Sequence, residues 1–145
     1  MIKSPKIYFV DTGIACSLLN IRSAEDLLTH YLRGGLIESL IISYFLKQQH
    51  NFDRQPNLYF WRDRTGNEID CIVDDSQQPI PIEIKAGKTI ASDFFDVFSY
   101  WERTTGFSKG SRYLIYGGIK DQAWPQANVL GWKSAGNIMK KILEE

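Results

Sequence analysis

Hydrophobic and polar positions alternate with period two in three successive runs near the middle of the chain. Leu58-Tyr59-Phe60-Trp61-Arg62, Glu68-Ile69-Asp70-Cys71-Ile72-Val73 and Ile80-Pro81-Ile82-Glu83-Ile84-Lys85 are separated by the turn-forming stretches Asp63 to Asn67 and Asp74 to Pro79. Such spacing predicts three strands in an antiparallel meander. Before them, Leu36 to Gln49 predicts a largely buried helix. At about 100° per residue, Ser39, Ser43 and Lys47 gather on one side and apolar side chains cover most of the rest.

The flanks read as shorter elements. Lys6 to Val10 is rich in β-formers and predicts a first strand, stopped by Asp11-Thr12-Gly13 and followed by a short helix from Ile14 to Leu19 capped by Asp11 or Thr12. A second helix is expected from the Ser23 cap through Arg33, ended by Gly34-Gly35. Beyond the meander the pattern predicts a helix from Ser92 to Arg103, a strand from Arg112 to Tyr116, a strand-like run from Asn128 to Trp132 and a last helix from Ser134 to Leu143. Phe94, Phe95, Phe98, Tyr100 and Trp101 fall at helical spacing and are read as core packing rather than as a platform for bases. The order helix, three strands, helix, strand inside one core gives an α/β fold: a mixed sheet covered by helices, with residues 1–145 as a single domain.

Alternation also sorts the polar residues of the meander. Ile80, Ile82 and Ile84 share one face of their strand, while Pro81, Glu83 and Lys85 share the other, so Glu83 and Lys85 project side by side. In the strand before, Glu68, Asp70 and Ile72 oppose Ile69, Cys71 and Val73, and a hairpin that buries both apolar faces together brings Asp70 next to Glu83. Two carboxylates and a lysine then converge in a partly buried sheet, which is costly without compensation. A Mg²⁺ or Mn²⁺ ion would offset that cost, because such ions take oxygen ligands from one or two carboxylates and keep waters for chemistry. Lys85 could orient or deprotonate a water, or hold a phosphate. Glu38 falls in the apolar sector of its helix, where either the metal site or the helix N-terminus accounts for an acid.

Glu38 on a helix, then Asp70, then Glu83-Ile84-Lys85 on the next strand resembles the PD-(D/E)xK nuclease superfamily, with its restriction-endonuclease-like core. More closely, Pro5 to Gly13, Gly35-Leu36-Ile37-Glu38, Phe60 to Asp63 with Gly66 to Asp70, and Ile82 to Gly87 resemble the uncharacterised nuclease-like C-terminal domain of bacterial and archaeal AAA+ type ATPases. The resemblance implies that Asp70 and Glu83 are metal ligands, Lys85 the catalytic lysine, and Glu38 the helix acid that completes the site. It also implies an ATPase domain in the same polypeptide, before Met1, in line with a chain that starts almost at once on a strand. Glu68 and Arg62 belong to the matching stretch without an assigned role. Ile69 stands where the motif's proline would precede Asp70, and the second helix offers no glutamine of the kind some members place near the metal.

Charge narrows the partners. The chain carries 17 Lys and Arg against 17 Asp and Glu, and no basic block hides in either half, so a general nucleic-acid coat protein is excluded and any nucleic-acid contact is local. Tyr59, Trp61, Arg62 and Arg64 flank a turn that could meet a phosphate backbone, although a solvated loop is the simpler reading. No apolar run is long enough for a bilayer span, which predicts a soluble protein without a membrane partner. Cys16 and Cys71 lie far apart with no secretory leader before them, which fits the cytoplasm. With only His30 and His50 besides, a zinc site has almost no ligands. Ala86-Gly87-Lys88-Thr89 ends like a phosphate-binding loop but has Ile82 where the earlier glycine belongs. The expected function is metal-dependent phosphodiester hydrolysis; the alternative is a catalytically silent regulatory module of the ATPase that binds nucleic acid or protein.

Overall fold

The computed structural model describes residues 5–74, 78–108 and 110–144. Its elements are α1 (Thr12–Leu18), α2 (Ala24–Thr29), α3 (Arg33–Asn51), β1 (Leu58–Arg62), β2 (Glu68–Asp74), β3 (Pro79–Lys85), a 3₁₀ turn (Ser92–Phe95) leading into α4 (Asp96–Thr105), β4 (Tyr113–Tyr116), β5 (Gln122–Ala123), β6 (Asn128–Gly131), a second 3₁₀ turn (Trp132–Ser134) and α5 (Gly136–Glu144). The strands form one mixed sheet in the order β1-β2-β3-β4-β6-β5. The meander β1-β2-β3 is antiparallel, β3-β4 and β4-β6 are parallel, and β5 returns antiparallel on β6. The fold is therefore the expected α/β arrangement of a mixed sheet flanked by helices. No helix among the described residues is long and apolar enough to cross a membrane.

Alternation places one core on each face of the sheet. Ile82, Ile84, Tyr113 and Ile115 pack with Ile41, Ile42 and Phe45 of α3 and with Ile138 and Met139 of α5. On the other face, Leu114, Tyr116 and Val129 pack with Phe95, Phe98 and Trp101, so these aromatics are core as expected. Gln49, at 1% exposure, joins α3 to the sheet: its Oε1 accepts from the Asn57 amide at 3.2 Å, and Asn57 Nδ2 donates to the Asp74 carbonyl at 2.7 Å.

Four local expectations are corrected. The segment 6–10 is not a strand; it has no ladder partner, because β1 forms the sheet edge without it. Gly34-Gly35 do not end a helix but lie in the first turn of α3. α2 ends earlier, at Thr29, after a capping box between Ser23 and Asp26. Of the expected polar side, Lys47 is exposed but Ser39 and Ser43 are buried, and Tyr44 is exposed instead; Ser43 Oγ satisfies itself on the Leu40 carbonyl at 3.0 Å, which lets a small hydroxyl enter the core. The short strand β5 was not expected, having only two residues. The turn after Asp74 includes residues 75–77, which lie outside the described residues.

Candidate metal centre

A β-bulge shapes the site. Tyr59 pairs with Ile72 and Trp61 with Ile69, so Phe60 alone stands opposite both Asp70 and Cys71. The extra residue breaks the alternation expected of β2. Ile69 and Ile72 both pack on the α4 side, whereas Cys71 and Val73 face α3 and α5. Cys71 therefore does not point away from Asp70: the two line one cleft. Burial, with the charges of Asp70 and Glu38 nearby, pushes the Cys71 thiol up to about 12, so it is an unreactive core residue.

The β2-β3 ladder runs from Asp74↔Pro79 to Cys71↔Ile82. Just past its end the Asp70 side chain enters, and Oδ2 accepts from the Ile84 amide at 2.8 Å. Asp70 thereby stands between two groups of charges. On the α4 side, where Glu83 and Lys85 alternate away from Ile82 and Ile84, Lys85 Nζ donates to Glu83 Oε1 at 2.6 Å and lies 5.5 Å from the centre of the Phe94 ring. On the α3 side, single oxygens of Glu38, Glu68 and Asp70 lie within 4.8 Å of one another. Lys6 Nζ sits among them, 2.5 Å from Glu38 Oε1, in contact with Glu68 Oε1 and 3.6 Å from Asp70 Oδ1. Tyr8 Oη donates to Glu38 Oε1 at 3.1 Å, and Arg62 Nε donates to Glu68 Oε2 at 2.6 Å.

Burial dominates the electrostatics. Glu83 is 4% exposed; burial and the charge of Asp70 push its carboxyl up to about 7, against the pull of Lys85. Asp70 is pushed up to about 6 by burial and by Glu38, against the Ile84 amide and the two lysines. Burial opposes the charge on Lys6, but hydrogen bonds to Glu38 and Glu68 outweigh it and raise the ammonium above the ordinary lysine range. Glu68 is held below the usual carboxylate range by Lys6 and Arg62, despite its own burial.

The residue types fit a hard divalent cation. All four acids offer oxygen, as Mg²⁺ and Mn²⁺ require. Asp70 Oδ2 is committed to Ile84 and Glu83 Oε1 to Lys85, yet Glu83 Oε2 is buried with no hydrogen-bond partner. Such an oxygen is expensive in a folded protein unless something binds it. Four carboxylates (Glu38, Glu68, Asp70, Glu83) also face three cations (Lys6, Arg62, Lys85), an excess of acid that proton uptake at Glu83 and Asp70 or a bound cation offsets.

Every residue expected at the site is thus brought to Asp70: Glu83 and Lys85 on one side, Glu38 on the other. Lys6, Tyr8 and the pairing of Glu68 with Arg62 were not foreseen. The signal was present in Lys6-Ile7-Tyr8-Phe9, whose period-two pattern aims Lys6 and Tyr8 inward and leaves Ile7 and Phe9 exposed even without a ladder. Residues 33–134 match the family model of a domain of unknown function, DUF4143. No curated protein matches the chain.

Proposed function

We propose that this chain, which belongs to the DUF4143 family of domains of unknown function, hydrolyses phosphodiesters with the help of a divalent cation. The carrying observation is the unpartnered, buried Glu83 Oε2 beside Asp70, with the Lys85 ammonium on the other Glu83 oxygen. Asp70 and Glu83, with Glu38, would hold Mg²⁺ or Mn²⁺. When bound, that ion supplies a nucleophilic water at neutral pH and stabilises charge on the phosphoryl oxygens. Lys85, partly exposed and positively charged, is placed to hold a phosphate oxygen or orient the attacking water. The Asp70-Ile84 bond fixes one acid rigidly to the central strand, which supports a preorganised site. The order of helix, meander, helix and strand around these acids supports a restriction-endonuclease-like core of the PD-(D/E)xK type. An ATPase domain of the same polypeptide and a nucleic-acid substrate belong to this reading.

The test is cleavage of labelled single- and double-stranded DNA and RNA in Mn²⁺. Wild type should cleave at least one of them; Lys85→Ala should lose cleavage while still binding the ion. Full cleavage by Lys85→Ala would remove Lys85 from the mechanism. The ammonium of Lys6 among the acids favours a second reading, a catalytically silent module that binds nucleic acid or protein. Ion binding with no cleavage of any of these substrates, even by Lys6→Gln, would select it.

A further inference from the structure

Three loops meet beyond the carboxyl ends of the parallel strands, beside the Glu83-Lys85 pair. Lys85 pairs with Tyr116 and Tyr116 with Gly131, so the loops that follow β3, β4 and β6 leave the sheet side by side. Backbone bonds tie them together: the Gly117 amide donates to the Gly87 carbonyl at 2.9 Å, and the Trp132 amide to the Gly118 carbonyl at 3.2 Å. Tyr116 Oη donates to the Lys120 carbonyl at 3.0 Å, and Asp121 Oδ1 accepts from the Gly131 amide at 2.9 Å. A Cβ on Gly131 would lie 2.8 Å from the Gly118 carbonyl oxygen, so only glycine allows this close approach. The three loops form one hydrogen-bonded platform.

Each loop carries one exposed lysine: Lys88 after β3, Lys120 after β4 and Lys133 after β6. The single acid in residues 86–91, 117–121 and 132–135 is Asp121, whose carboxylate is committed to Gly131. Among the described residues none of the three lysines is in an ion pair, in contrast to Lys6 and Lys85. In a chain of zero net charge this cluster is a local basic patch, open to phosphates. Apolar side chains stand among the lysines. Ile119 is 71% exposed, and Trp132, at 41%, is the exposed one of the four tryptophans. Lys133 Nζ lies 5.6 Å from the centre of the Trp132 ring, and no aromatic ring stacks on that indole among the described residues. Large apolar side chains held out to solvent by hydrogen-bonded loops mark a contact surface.

We propose that this platform binds an unpaired stretch of nucleic-acid strand, with a base stacked on Trp132 and phosphates held by Lys88, Lys120 and Lys133. A base inside a duplex is already stacked on both faces, so only an unpaired one can offer a face to the indole. Stacking tolerates any base, and lysine meets phosphate as a point charge, so the platform selects strandedness rather than sequence. Across the sheet, two strand spacings of about 5 Å each separate Lys85 from Gly131, which carries the held strand within a few nucleotides of the Glu83-Lys85 pair. The proposal rests on reading that pair as the place of phosphodiester hydrolysis, and it makes the substrate a single strand or a duplex with an unpaired end.

The experiment is fluorescence anisotropy of labelled single-stranded DNA, single-stranded RNA and a blunt duplex of equal length, in chelator, so that binding is read without cleavage. Wild type should bind one of the single strands about tenfold more tightly than the duplex, and Trp132→Ala should weaken that binding about tenfold. Trp132→Phe should restore most of it, as a stacking role requires. Lys88→Gln and Lys120→Gln, both at exposed positions, should each lower the slope of log affinity against log salt by about 0.7. Unchanged single-strand binding by Trp132→Ala, preference for the duplex, or capture of anionic phospholipid vesicles with no strand bound would overturn the proposal. Cleavage in Mn²⁺ by wild type beside any of those results would leave the hydrolytic reading standing. Single-strand binding that depends on Trp132, without cleavage in Mn²⁺, would retire hydrolysis and keep the platform.

Discussion

The carboxylate of Asp70 accepts a 2.8 Å hydrogen bond from the backbone amide of Ile84, so a side chain carries on where the β2-β3 ladder stops. The bulge opposite Phe60 makes this possible by turning Asp70 out of strict alternation. One residue thus closes the sheet and faces both the Glu83-Lys85 pair and the Glu38-Glu68 pair. Stability and chemistry should separate when its charge and its hydrogen-bond capacity are removed independently.

Asp70→Asn keeps an oxygen that can accept from Ile84, whereas Asp70→Ala leaves that amide without a partner. The alanine variant should be less stable than the asparagine variant by about 1–3 kcal/mol, the usual cost of an unmet buried donor. Urea denaturation of the two variants in chelator measures the difference. Equal midpoints would mean that the Ile84 bond contributes nothing to folding.

The metal-free protein should lose stability as pH rises through the neutral range. Asp70 and Glu83 titrate near 6 and 7 when folded, above their ordinary values of 3.8 and 4.5, because burial, with the charge of Glu38 beside Asp70 and that of Asp70 beside Glu83, disfavours ionisation. Between about pH 4 and pH 7 the folded state holds more protons than the unfolded one, so unfolding free energy falls with rising pH. Glu68 is shifted the opposite way, and its contribution disappears only at lower pH, when it protonates. Thermal melts in chelator from pH 4.5 to 8 should show midpoints falling toward the alkaline end. Glu83→Gln should flatten that slope and melt higher than wild type at pH 8. A midpoint that rises across this window would contradict the assignment.

Gly117 holds the end of β3 in place from the neighbouring loop. Its amide donates to the Gly87 carbonyl at 2.9 Å, and a Cβ there would press into the Ala86 carbonyl inside van der Waals contact. Gly117→Ala should therefore shift the backbone just beyond Lys85, with a stability cost of about 1–3 kcal/mol. Chemical denaturation checks the cost. An unchanged midpoint would mean that the Ala86-Gly87 loop can move freely without strain.

Much of this arrangement was legible because β3 is strictly periodic. Ile80, Ile82 and Ile84 had to face a core, which fixed Glu83 and Lys85 on the opposite face before any partner was known. The caps were equally local: Asp11 accepts from the Gly13 and Ile14 amides, and Ser23 and Asp26 exchange bonds within four residues. The bulge at Asp70-Cys71 was not legible, since a bulge arises from how two strands pair and neither strand alone encodes it. Lys6 to Val10 has the composition and alternation of a strand, but a ladder needs a free edge at the right place. The segment instead places two inward side chains on the acids. Burial of Ser43 is not legible because a helical wheel reads a hydroxyl as polar, whereas a small one that bonds its own helix packs like alanine.

The most direct test of the central claim is Mn²⁺ binding by Glu83→Gln compared with wild type, measured by calorimetry near pH 7.5. Glu83 Oε2 is a buried oxygen of the site with no hydrogen-bond partner, and removing its charge touches neither the Lys6 cluster nor the Asp70-Ile84 bond. Wild type should bind one ion, and the variant should bind at least tenfold more weakly while folding at least as stably without metal. Undiminished binding by Glu83→Gln would contradict the account, because the unpartnered oxygen would then have no part in holding a cation.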